Sequence, residues 1–359
     1  MLNKQKIFLH ALNYFSPEVA HKIALKFIKH SIVPQEKENT LTPNLETRIG
    51  STKFSHPLGI AAGFDKNIET INSINKLEIS HMEFGTITPK PQKGNIRPRV
   101  FRLLRDKAVI NRLGFPNDGA DLAEKKLSSN NKKLPIGVNI GFNKSSSNPI
   151  EDYSIMTKKL GPYCEWLTIN ISSPNTPGIR EFQKKEKLKK LLILLNNKRK
   201  KVEDKKNKKL QLWVKISPDL TESELKNIID ISIENKIEAL CIANTTLSRP
   251  THLISKNKKQ DGGLSGSPLF NQSTKMLAKA FMHADKNIKF IGVGGISDGE
   301  TAYSKILAGA SLIQLYTGLI YNGPMILKNI INYLTLKCKR NQLSDLIGSN
   351  AKSIAKEKR

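Results

Sequence analysis

Short apolar runs recur along the chain at residues 58–61, 81–87, 136–140, 166–170, 212–216, 239–243, 290–293 and 312–316. Each is too short for a helix, and most stop at Gly, Asn, Lys or Thr, where a strand gives way to a connection. Between them the apolar spacing changes to i, i+3, i+4. Leu188, Leu191, Leu192, Leu195 and Val202 make one helical face, and Leu225, Ile228, Ile229 and Ile233 make another. Strands of buried type alternating with helices predict a parallel sheet, and a count of eight predicts an α/β fold closed as a (β/α)8 TIM barrel. An open doubly wound sheet would carry G-x-G-x-x-G after its first strand, which Gly59-Ile60-Ala61-Ala62-Gly63 does not match. Three connections, 88–118, 171–183 and 245–270, are too long for plain loops. All follow strands, which places them at the C-terminal mouth of a barrel, where active sites are built.

The two ends read differently. Ile7, Phe8, Ala11, Leu12 and Phe15 share one helical face, Ser16-Pro17-Glu18 signals a new helix start, and Val19, Ala20, Ile23, Ala24, Phe27 and Ile28 share a second face. With Lys22, Lys26 and Lys29 beside them, these are two short basic amphipathic helices. They fit either packing on the barrel or an in-plane membrane contact. Residues 46–49 and 52–54, split by Gly50-Ser51, predict a hairpin plugging the barrel floor. The expected units are therefore residues 1–40 (the helices), 41–336 (the barrel) and 337–359 (a basic tail). The simplest expectation for the tail is disorder, with a second lipid contact as the alternative.

Composition narrows the function. The 359 residues carry 59 basic and 31 acidic side chains, a net charge of +28, and 38% are hydrophobic, which suits a globular protein. Much of the excess sits in residues 184–209 (13 basic, 3 acidic) and 337–359 (7 basic, 2 acidic). Both blocks are Lys-rich and lack aromatics, so solvated helix faces account for them better than nucleic-acid binding does. No apolar run approaches the ~18–20 residues of a membrane-spanning helix, and no export signal is expected at the N-terminus. Cys164, Cys241 and Cys338 have no metal-type spacing and fit a reducing compartment.

Candidate chemistry collects at the strand ends. The turn Ala62-Gly63-Phe64-Asp65-Lys66 follows the first strand. Its small residues would let a flat ligand approach the backbone, although a tight turn with a surface Lys explains it as well. Asn111-Arg112-Leu113-Gly114-Phe115 lies in the first long connection, and Asn139, Asn170, Asn175 and Asn244 lie at or beyond other strand ends. Asn is commonly a turn former, but this many amides at one mouth suit a planar, amide-rich substrate. No carboxylate pair or His cluster joins them, which disfavours glycoside and metal-dependent hydrolysis; no metal site is expected. Lys215 ends the fifth strand, where it would form an imine with a carbonyl substrate or set a charge beside an electron-accepting cofactor. Gly292-Val293-Gly294-Gly295 after the seventh strand, Tyr316-Thr317-Gly318 after the eighth and Gly263-Leu264-Ser265-Gly266 read as a phosphate site for a phosphorylated cofactor, most simply FMN. Ile169-Asn170-Ile171-Ser172-Ser173-Pro174-Asn175-Thr176-Pro177-Gly178 is the most specific stretch, a Pro-stiffened lid whose Ser is a candidate base or nucleophile. No His lies nearby in sequence, so a hydrolase pair is disfavoured.

Taken together these segments, with Glu83-Phe84-Gly85-Thr86 and residues 98–103, resemble the class 2 dihydroorotate dehydrogenases, the membrane-associated, quinone-using branch of that family. The match runs in the same order from the N-terminal helices to about Tyr333. The resemblance implies oxidation of (S)-dihydroorotate to orotate, the fourth step of pyrimidine synthesis, with one FMN per chain and a ubiquinone-type quinone as final acceptor. It implies FMN binding by Ala62, Gly63, Phe64, Asp65, Lys66, Thr86, Asn139, Asn170, Lys215, Ala243, Gly266, Gly295, Tyr316 and Thr317. It implies substrate binding by Lys66, Asn111, Asn170, Asn175, Asn244 and Thr245, alongside the backbone of Arg112, Leu113, Gly114 and Phe115. Ser173 stands where the family has its catalytic base; the soluble branches use Cys there. Thr176 and the Phe115 carbonyl are candidate relays for it, and His21, Arg102 and Tyr316 would sit near the quinone head. Ala243 departs from a Thr that is frequent at this flavin contact. A monomer on the cytoplasmic side of the cell inner membrane, held peripherally, completes the expectation.

Overall fold

The computed structural model describes residues 2–30, 43–129 and 134–357. All eight apolar runs are strands: β1 (Leu58–Ile60), β2 (His81–Ile87), β3 (Ile136–Ile140), β4 (Trp166–Asn170), β5 (Gln211–Ile216), β6 (Ala239–Ile242), β7 (Lys289–Val293) and β8 (Leu312–Leu315). They pair in parallel in chain order, and β8 closes on β1 with Ile313 opposite Leu58 and Leu315 opposite Ile60. The closed barrel forecast from the sequence is the fold.

Helices cover the outside because each buries one apolar stripe. In Lys185–Lys206 the residues Leu188, Leu191, Leu192, Leu195 and Val202 are buried, while Lys185, Lys187, Lys189 and Lys190 face outward. The basic block is the solvated side of this helix. Pro149–Leu160 starts at Asn148, whose side chain caps the Glu151 N–H, and Glu222–Glu234 starts with a capping box of Thr221 and Glu224. The first crossover departs from the alternation: between β1 and β2 the chain makes only a 3-10 turn, Ile74–Lys76.

The floor hairpin forms as expected, with Thr47–Ile49 antiparallel to Thr52–Phe54. Ile49 and Phe54 are fully buried, and Gln211 Nε2 donates to the Ile49 carbonyl (2.9 Å) and Thr52 Oγ1 (2.7 Å). Above it Trp166 and Trp213 stack with ring centroids 4.3 Å apart. The barrel interior is thus closed from below, and the open end is the mouth.

Two helices precede the barrel, α1 (Leu2–Leu12) and α2 (Pro17–Lys29). Phe8 meets Phe27 at 4.7 Å between centroids. Glu18 of α2 pairs with Arg99 (2.8 Å) and Arg97 (3.2 Å), and Arg102 donates to the Leu12 and Phe15 carbonyls. Those interactions hold the helices beside the mouth. The boundary expected at residue 40 lies outside the described residues.

The tail corrects the expectation of disorder. Leu343–Leu346 and Ala351–Lys356 are short helices, the second packed on Phe270–Ala284. Leu343 and Ala351 are buried, and the Gly348 and Asn350 N–H groups donate to the Ile306 and Leu307 carbonyls. Gly348 has φ +77°, and a Cβ there would lie 2.0 Å from the Phe281 ring. Six apolar side chains in a mostly polar stretch, Leu343, Leu346, Ile347, Ala351, Ile354 and Ala355, are enough to dock the segment. Deleting residues 342–359 is therefore expected to destabilise the barrel by about 2–4 kcal/mol, from the apolar surface exposed. A melting temperature unchanged by the deletion would mean the docking contributes nothing.

Candidate active site

The mouth is a cavity of 1310 Å³ bounded by the ends of the barrel strands and by α1 and α2. Its cover is a sheet that the sequence did not reveal. Within the first and third long connections, Val100–Leu103, Ala108–Asn111 and Gly263–Gly266 pair antiparallel, with Gly263 opposite Asn111. Asn111 is thereby held over the mouth.

The lid after β4 hangs from this cover. Asn175 Nδ2 donates to the Asn111 carbonyl (3.1 Å), and the Asn175 N–H donates to Ser173 Oγ (3.2 Å). Ser173 is 5% exposed and lines the cavity. Arg180 Nε donates to the Ser172 carbonyl (3.1 Å) while its Nη1 pairs with Asp219 (3.0 Å), tying the lid to the loop after β5. A lone Arg in a Lys-rich chain gave no signal of this role. Thr176 and the Phe115 carbonyl, the expected relays, make no direct hydrogen bond to Ser173 among the described residues. The Phe115 carbonyl accepts instead from Gln92 and Asn117.

The strand-end amides form a connected set. Asn244 Nδ2 donates to Ser172 Oγ (2.8 Å), which donates to Asn170 Oδ1 (2.9 Å). Asn170 Nδ2 reaches Asn139 Oδ1 and Thr86 Oγ1, both at 3.1 Å. Asn139 Nδ2 then donates to Glu83 Oε1 at 2.8 Å. Glu83, Asn139 and Asn170 are all buried.

Across the mouth the walls are small. Gly63 has φ +96°, and a Cβ there would approach the Tyr316 ring to 3.2 Å; at Gly295, φ +78°, a Cβ would lie 2.4 Å from Phe270. Ser265 Oγ and Thr317 Oγ1 share a hydrogen bond of 2.8 Å. Asp298 caps the helix Gly299–Leu307 with its own side chain, whereas Thr317–Asn322 begins without a side-chain cap. The uncapped N–H groups of that short helix thus lie beside Thr317. Lys215 is 6% exposed and faces the cavity. Lys66 lines it too, its Nζ bonded to the Gly63 carbonyl.

On the helix side His21 Nε2 donates to the Phe64 carbonyl at 2.7 Å, and its ring meets Phe64 edge-on at 5.4 Å. Burial, with the Lys66 charge adding to it, lowers the His21 pKa to about 3. The ring is neutral at physiological pH and presents Nδ1 as an acceptor.

Ala62, Gly63, Phe64, Lys66, Thr86, Asn111, Leu113, Gly114, Phe115, Asn170, Ser173, Asn175, Lys215, Ala243, Asn244, Thr245, Gly266, Gly295, Tyr316 and Thr317 all line the cavity. Three expected residues do not. Asp65 is fully buried and accepts from the N–H groups of Asn67, Glu69 and Thr70, so it shapes the turn that presents Lys66. The Arg112 guanidinium bonds Gln260 and the Asp261 and Pro98 carbonyls. Asn139 sits beneath Thr86 and Asn170. Among the described residues no group of three or more His, Cys, Asp or Glu is placed to hold a metal ion.

A closed (β/α)8 barrel with a phosphate-type glycine wall, a cationic wall at Lys215 and an amide-rich lid defines a cofactor-binding barrel enzyme. The comparisons with known proteins name the family. The family described as "Dihydroorotate dehydrogenase" matches residues 44–337. The chain is 42% identical to the dihydroorotate dehydrogenase (quinone) of Rhodopseudomonas palustris strain BisA53, over 97% of this chain and 96% of that one. It is 42% identical to the one of Brucella anthropi, over 94% and 92%. The crystal structure of DHODH from Eimeria tenella in complex with ferulenol superposes with a TM-score of 0.88 at 35% identity, over 93% of this chain and 95% of that one. The chain belongs to the dihydroorotate dehydrogenase family.

Two further histidines lie in the closed floor. Burial lowers the pKa of His56 to about 4; burial, then the neighbouring His56, lowers that of His81 to about 3. The unfolded chain takes up these protons near 6.5, so between 6.5 and about 4 it binds more protons than the folded chain. The stability held by keeping both rings neutral is fully present above pH 6.5 and is lost as pH falls, by about 2 kcal/mol per ring at pH 5. Replacing His56 by Asn keeps an acceptor for the Leu58 N–H and removes one titration. Melting curves of the variant are expected to drop less between pH 7 and pH 5 than those of the parent; equal slopes would assign the acid sensitivity elsewhere.

Proposed function

We infer that the protein oxidises dihydroorotate to orotate in pyrimidine biosynthesis, with a quinone as final electron acceptor, and that it works with FMN held in the barrel mouth. The observation that carries this reading is one continuous cavity. It brings the Ser173 lid, the amide cradle, the glycine wall and Lys215 together with the gap between α1 and α2.

The residues present fit FMN. A Cβ at Gly266 or Gly295 would collide with Lys107 or Phe270 and one at Gly63 would crowd Tyr316, so glycine is required at these turns, and all three line the cavity with bare backbone that a flat ring and a phosphate can approach. Ala62, Thr317 and Tyr316 would complete the hold; Ala243 supplies no hydroxyl there. FMN, when bound, supplies a hydride acceptor able to pass electrons on to a quinone. Lys215 contributes a fixed positive charge on the wall, preorganised for negative charge that develops during reduction.

Substrate recognition falls to Asn111, Asn175, Asn244 and Thr245, whose amides and hydroxyl match a ring of carbonyl and N–H groups. Lys66 provides a cation for the ring carboxylate. The Leu113–Phe115 backbone forms the adjoining wall.

Ser173 takes the proton from C5 of the substrate as C6 loses its hydride. A serine hydroxyl acts as a base only as its own proton leaves, here to a water molecule at the lid, and the Asn175 N–H stabilises the negative charge that grows on Oγ as that proton departs. Ser173→Ala is expected to retain FMN and to slow flavin reduction by dihydroorotate about 10²–10⁴-fold in single turnover. Reduction at the parent's speed would remove Ser173 from the role.

The quinone path runs between the N-terminal helices. Phe8, Leu12, Leu25, Phe27 and Ile28 make it apolar, and it opens on Tyr316, Phe64 and neutral His21. Arg102, expected at the quinone head, holds the end of α1 by its carbonyls. No helix of the described residues is long and apolar enough to cross a membrane. Ile7 and Val19 are 65% and 44% exposed, and with Phe15 they give the pair an outer apolar face suited to lying peripherally on the inner membrane among anionic headgroups. Replacing Ile7 and Val19 together by Asp leaves the core untouched. Flavin reduction by dihydroorotate and dye-coupled turnover are expected to stay within about twofold, while vesicle binding and long-chain quinone turnover fall at least about tenfold. Helices that serve only as a cover would leave all four unchanged.

A further inference from the structure

The amides at the mouth could each face either way by shape alone, since oxygen and nitrogen ends of an Asn are nearly isosteric. Their direction must be set by a neighbour whose own polarity cannot reverse. Glu83 is such a neighbour. It is fully buried at the middle of β2, one layer below the cavity, and lines none of it. Its Oε2 receives Thr168 Oγ1 (2.9 Å), Gln314 Nε2 (3.3 Å) and Trp166 Nε1 (3.4 Å). Its Oε1 receives Asn139 Nδ2 at 2.8 Å. Four donors converge on one side chain, the pattern a carboxylate takes.

The consequence passes upward. With its nitrogen committed to Glu83, Asn139 turns Oδ1 to Thr86 Oγ1 (2.6 Å) and Asn170 Nδ2 (3.1 Å). Asn170 then turns Oδ1 toward Ser172, where the backbone N–H (3.2 Å) and Oγ (2.9 Å) donate to it. The chain is pinned at both ends by groups that cannot invert, a carboxylate below and a backbone N–H above. We propose that Glu83 is a positioning residue of this enzyme: from beneath the cavity it fixes the donor–acceptor direction of Asn139 to match that of Asn170, which Ser172 holds from above, and so keeps intact the hydrogen-bonding face offered to the ring ligands.

The proposal makes an unusual demand on substitutions. In Glu83→Gln the amide oxygen can stay with the three donors at Oε2, which leaves an NH2 facing Asn139 Nδ2. Asn139 must flip, and its nitrogen then meets Asn170 Nδ2. Asn170 cannot follow, because Ser172 holds its oxygen. Two donors then face each other directly beneath the cavity wall. Asn139→Asp alone sets two carboxylates against each other. The two changes together restore every link, because a carboxylate at position 139 accepts from the amide at position 83 as well as from Thr86 and Asn170.

The inference rests on reading the cavity as an FMN and orotate site. The test is orotate binding, followed by perturbation of the flavin spectrum, in the holoprotein and these three variants, with melting temperatures alongside. Each single variant is expected to bind orotate about tenfold or more weakly, the cost of a buried polar group left unpaired. The double variant is expected to return to within about threefold of the parent, a strong coupling in the double-mutant cycle. Single variants that melt lower yet bind orotate as the parent does, or a double variant whose losses simply add, would overturn the proposal. Should a single variant fail to fold, a folded, orotate-binding double variant still sustains it, and a double that fails alike overturns it. A parent holoprotein that binds no orotate would bring down the functional reading itself, and the proposal with it.

Discussion

Closure of the barrel between β8 and β1 is the constraint on which the site depends. The Ala61 N–H donates to the Leu315 carbonyl at 3.0 Å, so the turn after the first strand and the turn after the last become neighbours. Phe64 and Tyr316, from opposite ends of the barrel sequence, then meet edge to face at 6.0 Å. Parallel pairing all round the ring sends every strand's C-terminal end to the same side. A ligand at that mouth can touch Lys66, Asn170, Lys215, Asn244 and Thr317 together. An open sheet would spread the same residues along an edge.

The interior below the mouth has two layers with opposite chemistry. The lower is apolar and closed: Ile49 and Phe54 from the hairpin, then stacked Trp166 and Trp213. The upper is polar and almost fully paired, from Glu83 through Asn139 to Asn170. Each layer needs the other. A buried carboxylate is tolerable because four donors meet it and because the floor excludes competing water. The Cys241 thiol shares this interior, and burial pushes its pKa well up, which leaves it an inert packing group.

The helices α1 and α2 are joined to the barrel by polar ties, Glu18 to Arg99 and Arg102 to the carbonyls at the end of α1, and by Leu25 and Ile28 of α2, which pack on the core. Their apolar faces are shared between the barrel, the cavity and the outside. The quinone path proposed above needs that arrangement, since it must be greasy within and open at its outer end. The basic tail does the reverse. It gives its few apolar side chains to the barrel's outer helix and turns its charge to water.

The eight strands, the floor hairpin, the two leading helices and most of the cavity wall were legible in the residues alone, because each rests on local periodicity or on glycine, proline and asparagine at a turn. What the sequence could not supply was partnership at a distance. Gly263–Gly266 pairs with the remote Ala108–Asn111, and neither segment has enough apolar alternation to announce a strand. The first crossover lacks its helix, and the tail docks, for reasons found only in what they pack against. Asp65 carried the right motif, yet its side chain serves the turn beneath Lys66. Glu83 was a letter in a strand until folding set Asn139, Thr168 and Gln314 around it. Hydrogen-bond direction belongs to the assembled network, because an amide has no preferred face until a neighbour with fixed polarity gives it one.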